Sequence, residues 1–379
     1  LTQYAAWLLH LTKNDPADLE LVAQLYDQRG FHLALMEVLR PIESKLSPTL
    51  EAAYLKALFN ARQYPTFAAR LQKPETDSLP DPELELYRAA YAAGWGPAPQ
   101  ASEARQKLAR AAASGPHQVI ANRLMIEVCN RQGDVAGCQL ALNGLIAARS
   151  DRLTDHSTLW RLLLKLGRKS EANQLVQAYI KEPTTLVETL ELAKVCVLVG
   201  QRKRAMDLLT GSFDTYGFSV PACIRYAAIL IEDRQWSEVR SFALRLRAYP
   251  GLPNSFLALA SIIEAEADLG EGRRENAEIT LRRLPTYDYD DPELGLGIAN
   301  SLIRANMLDV AMPLLSRLEG KLENNPDFWR TSFDAARAQT NLVMMARAAQ
   351  RFYEVDPGEP VAANNYAGIL LLQRTQLDL

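Results

Sequence analysis

The chain has 379 residues, of which 48% are hydrophobic and 23% charged, and a formal net charge of −3. This is the composition of an ordinary folded protein with a sizeable core. The slight acidity argues against general nucleic-acid binding, which relies on a clustered basic surface, and no apolar run approaches the roughly 18 residues of a membrane span.

In chain order, residues 1–12 (LTQYAAWLLHLT) carry one apolar stripe, which predicts the second helix of a partial unit. Prolines then recur at about 34-residue intervals: Pro16, Pro48, Pro82 and Pro116, later Pro221, Pro253, Pro292, Pro326 and Pro360. Several follow a capping residue, namely Asp15, Ser47, Asp81, Asp291 and Asn325. Proline suits the first turn of a helix because its φ is already helical and its missing N–H has no partner there. The beat therefore predicts a series of helix starts, with two starts lacking proline near residues 151 and 186.

Between beats, each unit reads as two amphipathic helices around a tight corner. Corners are expected at residues 29, 62, 133, 167, 200, 234, 272, 306 and 341, with one more near Gly94. A turn residue is followed five positions later by a small one: Gly167 by Ala172, Gly200 by Ala205, Gly272 by Ala277, Asn306 by Ala311 and Asn341 by Ala346. Looser versions are Arg29 to Ala34, Gly133 to Cys138 and Arg234 to Val239. Ala193, Ala227, Ala265 and Ala299 precede their corners by seven residues, so each unit has a close helix crossing. Pro360 to Gln373 predicts a last first-helix. Its apolar Ala367 and Ile369 to Leu372 make a poor cap, and the first residue is Leu1. Both features predict that the chain belongs to a longer protein or that a partner covers this end.

With an aromatic two residues after three of the corners (Phe31, Tyr64 and Trp236) and proline between units, the sequence resembles the tetratricopeptide repeat family along nearly its whole length. The resemblance implies an all-α fold, a right-handed α-solenoid superhelix of stacked antiparallel helix pairs. It implies one solenoid over residues 1–379: a partial repeat at 1–14, about ten helix-turn-helix repeats at 15–357 and a partial repeat at 358–379. Trp160 and Asp334 replace the usual small residue of the first helix, and the units around Gly94 and Gly272 contain insertions.

Catalytic patterns are missing from the sequence. Cys129, Cys138, Cys196 and Cys223 form no CxxC pair and are expected in the core, with a Cys129–Cys138 bridge as the less favoured alternative. His10, His32, His117 and His156 fall in different units and are expected to be solvated or capping. Gly295-Leu-Gly297 lacks the strand and lysine of a phosphate loop. Glu264 and Glu266 are two apart on a helix and point in different directions. The acidic run ending at Asp291 reads as an inter-unit loop, without the regular oxygen array of a calcium site. The expectation is a chain that is not an enzyme and uses no cofactor and no metal.

What remains is surface. Stacked first helices line the concave groove of tetratricopeptide proteins, and residues four apart share a helix face. This places Arg123, Glu127 and Arg131 on one helix, Arg161 and Lys165 on the next and Lys194 after them; Glu232 and Glu266 follow, then Asn300 and Arg304. The expected groove changes from basic to mixed or acidic. Arginine binds carboxylates through its planar fork, so the strip would suit an acidic peptide or partner protein. The lysine-and-asparagine clamp by which some family members hold a chain-end carboxylate has no residue-by-residue counterpart here. The leading expectation is a non-catalytic protein–protein interaction scaffold. The alternative is the repeat region of a larger protein, such as a polysaccharide-export or glycosyltransferase assembly. Composition does not separate cytoplasm from periplasm, nor does it set an oligomeric state.

Overall fold

The computed structural model of the protein describes residues 16–29, 31–73, 76, 79, 81–249, 253–284, 291–356 and 359–372. The partial repeat at 1–14, the cap Asp15, His10 and most of the acidic run before Asp291 lie outside these residues. Among the described residues the chain is all-α apart from one 3₁₀ turn, Arg40–Ile42. Twenty helices follow one another in twos. Their order is α1 (Pro16–Arg29), α2 (His32–Leu39), α3 (Pro48–Asn60), α4 (Tyr64–Leu71), α5 (Pro82–Trp95), α6 (Ala98–Ala113), α7 (Gln118–Gln132), α8 (Val135–Ala147), α9 (Leu153–Lys165), α10 (Lys169–Ala178), α11 (Leu186–Val199) and α12 (Arg202–Tyr216). They continue as α13 (Val220–Glu232), α14 (Trp236–Ala248), α15 (Asn254–Gly270), α16 (Arg274–Arg283), α17 (Pro292–Arg304), α18 (Leu308–Leu322), α19 (Pro326–Ala338) and α20 (Leu342–Val355), and a single α21 (Pro360–Leu372) follows. Odd numbers are thus the first helices of their pairs. Contacts divide the chain into two compact units: residues 1–183 with 198–200, and residues 184–197 with 201–379.

Helix starts follow the caps read from the sequence. The side chains of Ser47, Asp81, Asp291 and Asn325 accept hydrogen bonds from backbone N–H groups of the turn they precede, at 3.3, 2.8, 2.9 and 2.9 Å for the nearest. Each satisfies donors that have no partner within the helix. Pro48, Pro82, Pro292, Pro326 and Pro360 open their helices, and Pro221 is the second residue of α13. Two prolines depart from the expectation. Pro116 lies in the turn before α7, and Pro253 occupies the capping position ahead of Asn254.

The corners share one hydrogen-bond scheme. A residue with positive φ ends the first helix, and the next N–H reaches back to a carbonyl five residues earlier. These bonds run from Gln63 to Leu58 (2.8 Å), Asp134 to Cys129 (2.9 Å), Arg168 to Leu163 (2.8 Å), Gln235 to Leu230 (2.9 Å), Arg273 to Asp268 (2.7 Å) and Met307 to Leu302 (2.8 Å). This is the Schellman closure, which satisfies the orphan carbonyls of a helix end. Glycine supplies the left-handed residue at 133, 167, 200 and 272, but Arg62, Arg234, Asn306 and Thr340 do so elsewhere. Two corner positions need correction. At the last pair Thr340, not Asn341, is left-handed; Asn341 caps α20 by accepting from Met344 N at 3.1 Å. Near residue 94 there is no left-handed corner: Gly94 lies inside α5, and the chain turns at an extended Gly96 (ψ 168°). Pro97 causes this, because a residue before proline is pushed out of the helical region.

Small residues allow the crossing that follows each corner. Ala172, Ala205, Ala277 and Ala311 are fully buried, as are Cys138 and Val239, while Ala346 is only half-buried. Their first-helix counterparts Ala193, Ala227, Ala265 and Ala299 are buried too. Trp160, which stands in this position in α9, is 1% exposed, so this pair accommodates an indole where others use a methyl group. At two corners the aromatic packs forward onto the next first helix, whereas Phe31 meets Tyr26 of its own pair. The Tyr64 ring lies 4.1 Å from that of Trp95, and Trp236 lies under Gly270 at the end of α15. A Cβ at residue 270 would sit 2.3 Å from Cη2 of Trp236.

Neighbouring pairs are also joined by polar rungs that the periodicity does not reveal. An arginine early in a second helix reaches the corner of the next pair. Arg202 binds Glu232 (2.8 Å) and Asp233, Arg240 binds Asp268 (2.8 Å) and Glu271, and Arg274 donates to the Ala305 carbonyl (2.8 Å). In the first unit Arg105 binds Gln132 (2.7 Å) and Asp134. Cations are favoured at helix C-termini, where unpaired carbonyls concentrate negative charge. Replacing Gly270 by alanine should drive its Cβ into Trp236 and destabilise the second unit by about 1–3 kcal/mol. Urea unfolding measures this, with Gly320→Ala, at a position where a Cβ has open space, as the control.

Candidate partner-binding cleft

Within the first unit, the first helices α3, α5 and α7 contact one another in succession and α7 contacts α9, whereas the second helices of neighbouring pairs scarcely meet. The row of first helices is therefore the tighter one, and a cleft of about 410 Å³ opens on it. Phe59 and Asn60 from α3, Glu83 and Tyr87 from α5, and Ile120, Arg123, Leu124 and Glu127 from α7 form its wall. Arg62 and Tyr64 from the α3–α4 corner, His32, and Arg152 from the residue before α9 complete it.

Internal bonds hold most of these polar groups in place. Glu127 accepts from Tyr64 Oη (2.8 Å) and Arg62 Nη2 (3.4 Å). Burial, followed by the Glu127 charge and hydrogen bond, pushes the Tyr64 phenol far up, so it stays a neutral donor. Asn60 donates to Tyr87 Oη (3.0 Å). Glu83 accepts from Lys56 (3.2 Å), and His117 Nδ1 lies 3.8 Å from its other oxygen. Arg123 donates to the Ser150 carbonyl (2.6 Å) and lies 3.6 Å from Asp155 Oδ2. Its guanidinium is shifted down by burial and by neighbouring Arg152, against the raising effect of Asp155.

The expected strip is only partly gathered here. Arg123 and Glu127 line the cleft. Arg131 lies just beyond, stacked over Trp95 at 4.9 Å and donating to the Gly94 carbonyl (3.3 Å). Arg161 and Lys165 are exposed on α9 but do not line it. Lys194, Asn300 and Arg304 belong to the second unit. There Lys194 is exposed, Asn300 accepts from Thr331 (3.1 Å), and Arg304 reaches the buried Glu266 at 2.5 Å. Glu232 is tied into the Arg202 rung, and Glu264 pairs with Arg247 (2.7 Å). Arg152, Tyr87 and Asn60 were missed by face-counting. Arg152 precedes its helix and so belongs to no face, although its separation from Arg123 is close to the spacing of the rungs.

A second cavity of about 300 Å³ lies among α8, α9 and α10, floored by Trp160, Leu159 and Leu142. Its polar corner is Asp151, which accepts from His156 Nε2 (2.8 Å) and Lys181 (2.6 Å). His156, expected to be solvated or capping, instead packs against Trp160 and Tyr179 with its Nε2 on the buried Asp151 carboxylate. His117 directly precedes α7. Gly295 and Gly297 lie within α17, so no phosphate loop forms there.

No protein-family model matches the sequence, and no curated protein does. Solved structures do match. A tetratricopeptide repeat protein of Parabacteroides merdae is 13% identical over 76% of this chain and 98% of its own, with a TM-score of 0.44. Yeast Tom70 is 10% identical over 100% of this chain and 93% of its own, at 0.43. YrrB, described as a TPR protein with an unusual peptide-binding site, is 13% identical over 48% of this chain and 91% of its own, at 0.29. The fold is tetratricopeptide-like. The observations that carry this are in the chain itself: helix pairs with closed corners, a small residue at the crossing and an aromatic that packs onto the next pair.

Among the described residues, no helix of this tetratricopeptide-like chain is long and apolar enough to cross a membrane. The four cysteines are free and buried, so Cys129 and Cys138 are not bridged. Burial raises their thiols, Cys129 to about 11 and Cys138 and Cys223 to about 12. Thiol titration of the folded protein should show essentially no fast-reacting group, and four after denaturation. For Asp151, burial pushes the carboxyl up, but the Lys181 and His156 hydrogen bonds outweigh it and hold it below its ordinary 3.8. Its stabilisation is thus complete above that value and fades as pH falls through the folded pKa. Asp151→Asn should cost about 1–3 kcal/mol at neutral pH, and the gap from wild type should shrink below about pH 4. Denaturant titrations at a series of pH values measure both.

Proposed function

We propose that the chain is a non-catalytic interaction scaffold that holds an extended segment of a partner protein in the cleft of its first unit. The supporting observation is the cleft itself: three successive first helices contribute aromatic, hydrogen-bonding and charged groups to a single wall. Those groups are fixed by Tyr64–Glu127, Asn60–Tyr87 and Lys56–Glu83 contacts, so little side-chain ordering remains to be done on binding. Polar anchors among aromatic surfaces suit a peptide, whose backbone and side chains need both. Arg131, Arg161 and Lys165 extend the basic strip along α7 and α9 and provide a rim. Lys194, Asn300 and Arg304 would serve a separate stretch of partner on the second unit.

The test is selection from a random-peptide library on the intact chain. Selected peptides should lose at least about tenfold in affinity (1.4 kcal/mol) against Ile120→Trp, which fills the cleft from its half-buried wall. An unchanged circular dichroism spectrum would show that this variant is folded. The double replacement Arg161→Glu with Lys165→Glu should weaken the same peptides less. Equal binding to the wild type and Ile120→Trp would refute the reading.

A further inference from the structure

We infer that the cleft selects an acidic residue in the bound segment, whose carboxylate is received between the guanidinium groups of Arg123 and Arg152. This rests on the cleft being the partner-binding site, and it names the chemistry that site recognises. Both arginines line the cleft. They stand close enough for Arg152 to disfavour the charge on Arg123. Between them they have one carboxylate, Asp155, whose Oδ2 lies 3.6 Å from Arg123 Nε. The same oxygen accepts from the backbone N of Arg152 at 2.8 Å, where it closes the first turn of α9. Arg123 Nε is buried and has no hydrogen-bond partner. The Arg152 side chain makes no ion pair among the described residues.

The other two carboxylates of the cleft do not supply the missing charge. Glu83 shares Lys56 with Asp81 (3.4 Å), and Glu127 is held by Tyr64 and Arg62. Asp155 stands beside the Arg123 guanidinium and meets Arg152 only through its backbone N–H, so this end of the cleft holds two cations and one carboxylate in a partly desolvated site. An isolated charge in such a site is costly and a matched anion is correspondingly favourable. Arg152 is exposed and offers its planar fork to an incoming carboxylate. The class of anion follows from the opposite wall. Glu83 and Glu127 face the same space, and they would repel a doubly charged phosphate more than a singly charged carboxylate. The occupant is thus an aspartate or glutamate of an extended peptide flanked by apolar residues that meet Phe59, Tyr87 and Leu124.

The experiment uses the peptides selected on the intact wild-type chain. Their aligned sequences should show aspartate or glutamate enriched at one position. Titration calorimetry of the best peptide against its Asp→Asn or Glu→Gln analogue should show about a tenfold loss on the wild type. On Arg152→Gln, whose backbone cap is retained, the two peptides should bind alike. Arg123→Gln gives the second variant, checked for folding because Arg123 also holds Ser150. Peptides that depend on the cleft by the Ile120→Trp criterion, yet show no acidic preference, would overturn this inference and leave the proposed function standing. A phosphoserine analogue binding tighter than the acidic peptide would overturn the choice of carboxylate. Peptides indifferent to Ile120→Trp would overturn both readings.

Discussion

Each helix pair depends on reversing the chain within very few residues at the end of its first helix. The left-handed residue and the backward N–H to carbonyl bond make that reversal possible, and they recur from Arg62 to Thr340. The closure is required strongly enough that Arg62 and Arg234 adopt positive φ without glycine's freedom, at a cost of about 1–2 kcal/mol each. Because the corner is short, the second helix must cross close to the first. The crossing then admits only small or well-fitted residues such as Ala172, Ala205 and Ala277. The aromatic after the corner lands where the next first helix ends, which is why Trp236 meets Gly270.

The same corner organises the polar contacts. Helix C-termini present carbonyls and carboxylates, and arginines from the preceding second helices α12, α14 and α16 meet them. Hydrophobic faces bring the pairs together without directional preference, while these forks fix how far one pair slides along the next. The first helices come out as the closely spaced row, and the cleft of the first unit forms on that row. Its charged residues are mostly spent on one another, except at Arg123 and Arg152.

How much could be read from the sequence varied with the range of the interaction. The caps at Ser47, Asp81, Asp291 and Asn325 were legible because they act within one turn. Corners were legible from spacing even where arginine replaces glycine, but Gly96 was not, because Pro97 imposed a different turn. The candidate site was less legible. Face-counting found Arg123 and Glu127, which lie on a helix, and missed Arg152, which caps one. It did not reveal that Asn300 and Arg304 also contact Thr331 and Glu266. His156 was misjudged for the same reason, since Trp160 from its own helix and Tyr179 from the end of α10 close around its ring.

The rungs carry an implication for how such a chain changes length. The rungs of Arg202, Arg240 and Arg274 follow in consecutive pairs, and each donor meets the end of the next pair. Excising one complete pair would therefore bring a donor opposite an equivalent acceptor, whereas removing a single helix would leave both without counterparts. Insertions and deletions in this architecture are quantised in whole pairs. The cleft of the first unit, built from three consecutive first helices, is the feature that such an event would most readily erase or duplicate.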